Sequence, residues 1–260
     1  MGSLLISVVA AIIGTYIVTR RMVFIAGGIT HSSFGGLGIG YFAGISPTLS
    51  ALIFAIITAL GIDKMSRNKR VREDSAIAAF WALGMAVGII FIFITPGYTP
   101  GLSEFLFGNI LTITTGDIIL FAAMALLLVL FVTIYYRPIL YATFDGDFAR
   151  TRGIPVQLIN TVMILFVAVS VVLSIRLIGI MLLLSVLTLP QLIAEMFTSR
   201  LHTMMIYSGI ICLICNIIGL FLSTMIAVPT GATIVTTLIA VYLIAKAVRK
   251  LIEKSHRIEQ

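Results

Sequence analysis

Apolar stretches of roughly 17 to 22 residues recur along the whole chain, and a helix of that length crosses a hydrocarbon core of about 30 Å at about 1.5 Å per residue. They occupy approximately residues 3–19, 22–44, 48–62, 75–94, 117–136, 154–174, 177–197, 203–223 and 230–248. Hydrocarbon offers no partner to an open sheet edge, so such a chain is expected to fold as an all-α integral membrane protein, a polytopic bundle of 8–9 transmembrane helices. Of the 260 residues, 60% are apolar and 10% charged, against a soluble norm of about 45 to 50% and about 25%. A water-soluble domain has no way to hide that much hydrocarbon.

Threading the segments back and forth places every Lys and Arg except Arg176 on one side: Arg20, Arg21, the run at 64–72, Arg137, Arg150, Arg152, Arg200 and the tail from Lys246. Basic turns stay in the cytoplasm, so the amino terminus is expected outside. The isoelectric point near 9.7 then reflects inner-face topology and attraction to anionic membrane lipid. Nucleic-acid binding is excluded for want of a soluble basic surface. The first stretch lacks a positive leader and runs directly into Arg20 and Arg21, which reads as a retained helix of about 17 residues, short for a span, in place of a cleaved signal.

Residues 1–260 are expected to form a single transmembrane domain, because the longest polar connections are only 63–74 and 137–153 inside and 95–116 outside. The outer connection carries Pro96, Gly97, Pro100 and Gly101, then an amphipathic piece at 103–113 that fits a short interfacial helix. The phosphate loop requires a Gly-Lys pair, and the sequence has none. Any ATP-driven step therefore needs another subunit, and capture of a dilute solute needs a further one. Metalloprotease and serine-protease patterns are also missing, so the chain is not read as an enzyme. Cys212 and Cys215 lie in an apolar helix with no second pair and read as packing residues.

The second stretch concentrates the polar chemistry: Gly27, Gly28, Thr30, His31, Ser32, Ser33, Gly35, Gly36, Gly38 and Gly40 in one span. Glycines allow close backbone approach, while hydroxyls and imidazole need partners away from lipid. His31 is expected near the midplane, with Gly27 and Gly35 on its face at i, i+4 spacing. Imidazole favours zinc and other first-row transition metals. Either that role or a hydrogen-bonded packing role suits His31. Gly27, Thr30, Ser33, Gly35 and Pro190 are candidates for a translocation path.

The seventh stretch supplies Ser185, Thr188, Pro190, Gln191 and Glu195; Pro190 is expected to kink its helix. Glu195 suits either a cytoplasmic exit or pairing with Arg200. Asp74 and Asp117, just before apolar runs, are expected as helix N-caps. Two other readings compete with an ATP-driven permease: a self-sufficient ion-coupled carrier or channel, with His31 or Glu195 carrying the coupling proton, and a membrane scaffold. The scarcity of midplane carboxylates disfavours the first and the polar second helix disfavours the other.

Six segments in order resemble the ABC-3 family of permease subunits: RRMVFIAGGITHSSFGGLGIGYFAG at 20–44, REDSAI at 72–77, LFGNIL at 106–111, FDGDFARTRGIPV at 144–156, IGIMLLLSVLTLP at 178–190 and VPTGATIV at 228–235. The resemblance covers most of the chain. It implies a vitamin-B12-importer-like helical permease in the cytoplasmic (inner) membrane of a prokaryote, carrying zinc, manganese or iron by alternating access. It also implies a cytoplasmic ATPase subunit that binds the ATP, an extracytoplasmic metal-binding protein and a permease homodimer. No stably bound cofactor is implied, the divalent metal ion being cargo.

In that family the segment matching 144–156 docks on the ATPase, which assigns the coupling role to Asp145, Asp147, Phe148, Ala149 and Gly153, with Ala149 and Gly153 keeping an Ala-x-x-x-Gly spacing. Many members have Asp four residues before the second-helix His, where this chain has Gly27, and an acidic residue often stands where Ala227 is found. Either His31 binds metal with ligands from another helix, Gln191 or Glu195 being candidates, or the path is less selective than the family pattern.

Overall fold

The computed structural model describes residues 2–66, 72–97 and 114–258, with side chains as far as residue 251. The described regular structure is helical: α1 (Gly2–Thr19), α2 (Val23–Ala43), α3 (Pro47–Ser66), α4 (Glu73–Ile94), α5 (Thr115–Ile134), α6 (Tyr136–Phe144), α7 (Gly146–Thr151), α8 (Val156–Val186), α9 (Leu189–Glu195), α10 (Leu201–Ile226) and α11 (Thr230–Ile258). The expected interfacial piece at 103–113 lies outside the described residues, as do residues 67–71 of the basic run.

Among the described residues, seven helical segments are long and apolar enough to cross a membrane, including one 40-residue stretch, Val156–Glu195. The nine expected spans differ from these in two ways. The glycines and hydroxyls of α2 lower its hydropathy, although its 21 residues give ample length. The sixth and seventh expected spans are continuous in apolarity and are interrupted by backbone geometry instead.

That interruption corrects the expected turn at 175–176. The helix continues through Arg176, whose guanidinium pairs with Asp117 at 3.3 Å and donates to the Thr48 hydroxyl. It breaks at Gly179, where φ is 74° and ψ 168°. A side chain with a Cβ does not adopt that backbone without strain, and glycine does. The expected kink at Pro190 is also corrected: the chain turns at Leu187 and Thr188, and Pro190 sits in the first turn of α9. A missing N–H costs nothing there, because first-turn donors have no helical acceptor.

Both N-cap expectations move by a residue or more. Helix α5 is capped by Thr114, whose hydroxyl accepts from Asp117 N at 3.2 Å while Asp117 Oδ2 accepts from Thr114 N at 3.0 Å. Asp117 is thus the third-position partner in a capping box. Helix α4 has Arg72 at its cap, and Asp74 lies inside the first turn, where its charge meets the positive end of the helix dipole.

The chain divides into two compact units, Thr19–Ile180 and Met1–Val18 with Met181–Gln260. In the first, α2 is wedged between α3 and α4 by its glycines. A Cβ on Gly38 would stand 2.5 Å from Gly88 O and one on Gly35 2.8 Å from Gly84 O, both in α4, while one on Gly40 would stand 2.7 Å from Pro47 Cα in α3. Helix α5 buries Phe121, Met124, Ala125, Leu128 and Val132, a stripe at helical spacing, and packs Phe131 against Phe166 of α8. Its other face leaves Leu126, Leu127 and Leu130 more than half exposed, as expected where the neighbour is lipid.

In the second unit α1 is buried along most of its length, from Ile6 to Ile17 apart from Val8. Helix α10 presents Leu201, Met204, Ser208, Cys212, Cys215, Gly219 and Ser223 as its buried stripe. Polar contacts pin the two together: Thr15 with Ser208 at 3.4 Å and Asn216 Nδ2 donating to Ser7 Oγ at 3.4 Å. The cysteines are buried within this stripe, in keeping with a packing role.

Candidate translocation and coupling sites

The hydroxyls of α2 are satisfied by their own helix. Thr30 donates to Ala26 O at 2.6 Å, Ser32 to Ile29 O at 3.0 Å and Ser33 to Thr30 O at 2.7 Å, and all three side chains are buried. Such back-bonding lets a hydroxyl enter a tight helix interface without a partner across it. Gly35 faces the neighbouring helices, where a Cβ would stand 2.8 Å from Gly84 O of α4 and 3.1 Å from Phe54 Cζ of α3.

His31 is placed differently. It is half-buried, and its ring stacks on the indole of Trp81 from α4, with centroids 4.0 Å apart and planes 9° from parallel. One turn earlier, a Cβ on Gly27 would meet only Trp81 Cζ3, at an ordinary 3.8 Å. Gly27 has room for a side chain, unlike Gly28, where a Cβ would stand 2.7 Å from Ile77 Cγ2. Trp81 is the ring neighbour of His31 that the sequence left unmarked. The one available signal is its position four residues after Ile77 on α4, a residue that itself packs on α2.

Gln191 lies in the other unit and is wholly buried. Its Nε2 donates to Ala10 O at 2.6 Å, and Gly14 of α1 makes the space: a Cβ there would stand 2.6 Å from Gln191 Cδ and 2.7 Å from Leu187 O. Gln191 Oε1 is buried and has no hydrogen-bond partner among the described residues. A carbonyl oxygen held dry in this way is costly unless a donor or a cation meets it part of the time. Glu195 ends α9 and is exposed; Pro190 directly precedes Gln191 and is buried. Among the described residues, no group of three or more His, Cys, Asp and Glu could hold a metal ion together.

The segment between α5 and α8 is built as a rigid knuckle. Asp145 caps α7, its carboxylate accepting from Phe148 N at 2.9 Å, and Asp147 pairs with Arg150 at 3.0 Å on the exposed side. Ala149 is fully buried beneath the turn. Gly153, at φ 74°, ends the helix: its N–H reaches Arg150 O at 3.0 Å and the N–H of Ile154 reaches Ala149 O, also at 3.0 Å. Only glycine takes that left-handed position cheaply, and the doubled bond is how helices close at it. Phe148 is left 41% exposed, held edge-on to Tyr141 at 5.8 Å and beneath the Arg152 guanidinium at 5.3 Å. The result is a half-exposed aromatic side chain on a capped, hydrogen-bonded base.

Seven helical segments long and apolar enough to cross a membrane, among the described residues, define a multi-pass membrane protein. The model of the ABC 3 transport family matches residues 1–249, and the chain belongs to that family. It is 32% identical to the manganese transport system membrane protein MntC of Halalkalibacterium halodurans over 244 residues, 94% of this chain and 84% of the relative. It is 33% identical to a probable metal transport system membrane protein of Chlamydia trachomatis, covering 88% and 80%. The fold resembles PsaBC from Streptococcus pneumoniae in complex with Fab, with a TM-score of 0.82 and 25% identity over 94% of this chain and 87% of that one.

Proposed function

We propose that residues 1–260 act as one permease domain that carries divalent transition-metal ions, manganese or zinc foremost and iron as a third candidate, across a prokaryotic inner membrane. A separate cytoplasmic ATPase drives it, an extracytoplasmic binding protein delivers the ion, and two copies of the chain form the working permease. The observation that carries this reading is the family match along residues 1–249, with relatives named for manganese and metal transport.

His31 and Gly27 are the α2 residues that face the ion, and Thr30, Ser33 and Gly35 of the same helix are further residues of the translocation path. Within the second unit, taken by itself, Gln191 is a candidate carbonyl ligand on the path, Pro190 sets the start of its helix, and Glu195 is the candidate for the inner exit. Imidazole nitrogen, amide oxygen and carboxylate oxygen each bind several divalent ions, which suits manganese and zinc alike. The knuckle of Asp145, Asp147, Phe148, Ala149 and Gly153 receives the ATPase stroke.

The test is His31→Ala in cells that depend on this transporter for manganese or zinc. Uptake is expected to be lost with membrane insertion unchanged. Uptake at the wild-type rate would return His31 to a packing role.

A further inference from the structure

The stack of Trp81 on His31 has a use beyond packing, given the reading of His31 as a residue of the ion path. A metal-binding imidazole elsewhere is oriented by a hydrogen bond from its second nitrogen to a carboxylate or carbonyl. Among the described residues His31 has its indole contact and no such hydrogen bond, and Gly27 provides no carboxylate one turn away. The ring is held instead from its face.

The platform under it is rigid. On one side of the stack Gly28 admits Ile77, and on the other Gly84 lies so close to Ser32 that a Cβ would stand 2.6 Å from the serine carbonyl oxygen. These contacts lock the register of α2 against α4, so neither ring can slide along its neighbour. An imidazole binds metal through a lone pair lying in its ring plane. A parallel indole at 4.0 Å therefore blocks one face and leaves both nitrogens free to bind. The uncrowded space at Gly27 borders the same indole, at Cζ3.

We propose that Trp81 is a positioning residue for His31, replacing the usual oriented hydrogen bond with an aromatic platform. A bound divalent ion draws charge from the imidazole, and a more positive ring is held more firmly over the electron-rich face of indole. Ion binding and stacking thus reinforce each other, and the site holds its ion without a neighbouring negative charge.

Trp81 is the sole tryptophan of the chain, which makes it its own reporter. In the reconstituted transporter, with ATPase and binding protein, Trp81→Ala is expected to raise KM for zinc or manganese about three- to tenfold, the equivalent of losing one aromatic pair. The maximal rate per folded complex should be kept, and Trp81→Phe should restore most of the loss. In the purified full-length chain, zinc chloride should change the tryptophan emission saturably, and the change should vanish in His31→Ala. An unchanged KM in Trp81→Ala, or a zinc response that persists in His31→Ala, would overturn the positioning role while leaving the permease reading intact. Wild-type uptake by His31→Ala would remove the ion-path reading itself. Should Trp81→Ala fail to insert, the Trp81→Phe kinetics and the wild-type emission decide in the same way.

Discussion

Gly84 of α4 meets Ser32 of α2 backbone to backbone: a Cβ on the glycine would stand 2.6 Å from the serine carbonyl oxygen and 2.7 Å from its Cβ. Neither is the far end of a flexible side chain, so nothing there can swing aside. The neighbouring contacts, Gly35 on Gly84 and Gly38 on Gly88, repeat the arrangement along the same interface. Close approach of this kind drives helix association in lipid, where apolar burial alone has no advantage over lipid contact.

Gly84→Val should therefore force α2 and α4 apart and cost about 1–3 kcal/mol. The check is the unfolding midpoint in detergent, which should fall well below that of Gly27→Ala, a substitution with ordinary space around it.

Gln191→Met separates a structural from a transport role. It keeps the volume and removes both the bond to Ala10 O and the buried, unpartnered Oε1. Losing a bond and an orphan together should leave stability within about 1 kcal/mol. Uptake at limiting metal should fall if Oε1 meets the ion; an unchanged uptake curve would take Gln191 off the path.

The spans were legible because a bilayer imposes length and apolarity on any helix that crosses it. The break at Gly179 was not. Arg176 looked like a turn because an unpaired guanidinium cannot continue an apolar helix, and the sequence does not show that Asp117 and Thr48 satisfy it. The capping box was readable in principle, since Thr114 and Asp117 have the spacing, but attention to the charged residue alone puts the cap three positions late. On α2 the crowding of glycines and hydroxyls pointed to tight packing, which the structure supports; that the hydroxyls would bond their own helix, and that Trp81 would cover His31, depends on helix register and cannot be read along one segment.

Phe148→Ala should impair transmission from the ATPase with little effect on the fold. The side chain is exposed and touches only Tyr141 and Arg152 among its described ring partners, so stability should change by no more than about 0.5 kcal/mol. ATP hydrolysis by the assembled complex should continue while metal uptake per ATP falls. Gly153→Ala should act differently, costing roughly 1–2 kcal/mol through its positive φ and loosening the knuckle.

At the start of α5, Thr114→Ala should cost about 1 kcal/mol by removing one half of the capping box. Asp117→Asn should cost more, because Asp117 also pairs with Arg176. A double-mutant cycle between Asp117 and Arg176 should give a coupling of about 0.2–1 kcal/mol, the range for a partly exposed pair. Hydrogen exchange of the first-turn amides of α5 reads the capping term separately.

The most direct measurement is manganese and zinc uptake into proteoliposomes holding this chain, first alone and then with its ATPase and binding protein. Uptake is expected only in the complete system and only with ATP inside reach of the ATPase. Ion flux through vesicles containing this chain alone, without ATP, would contradict the permease account and restore the self-sufficient carrier.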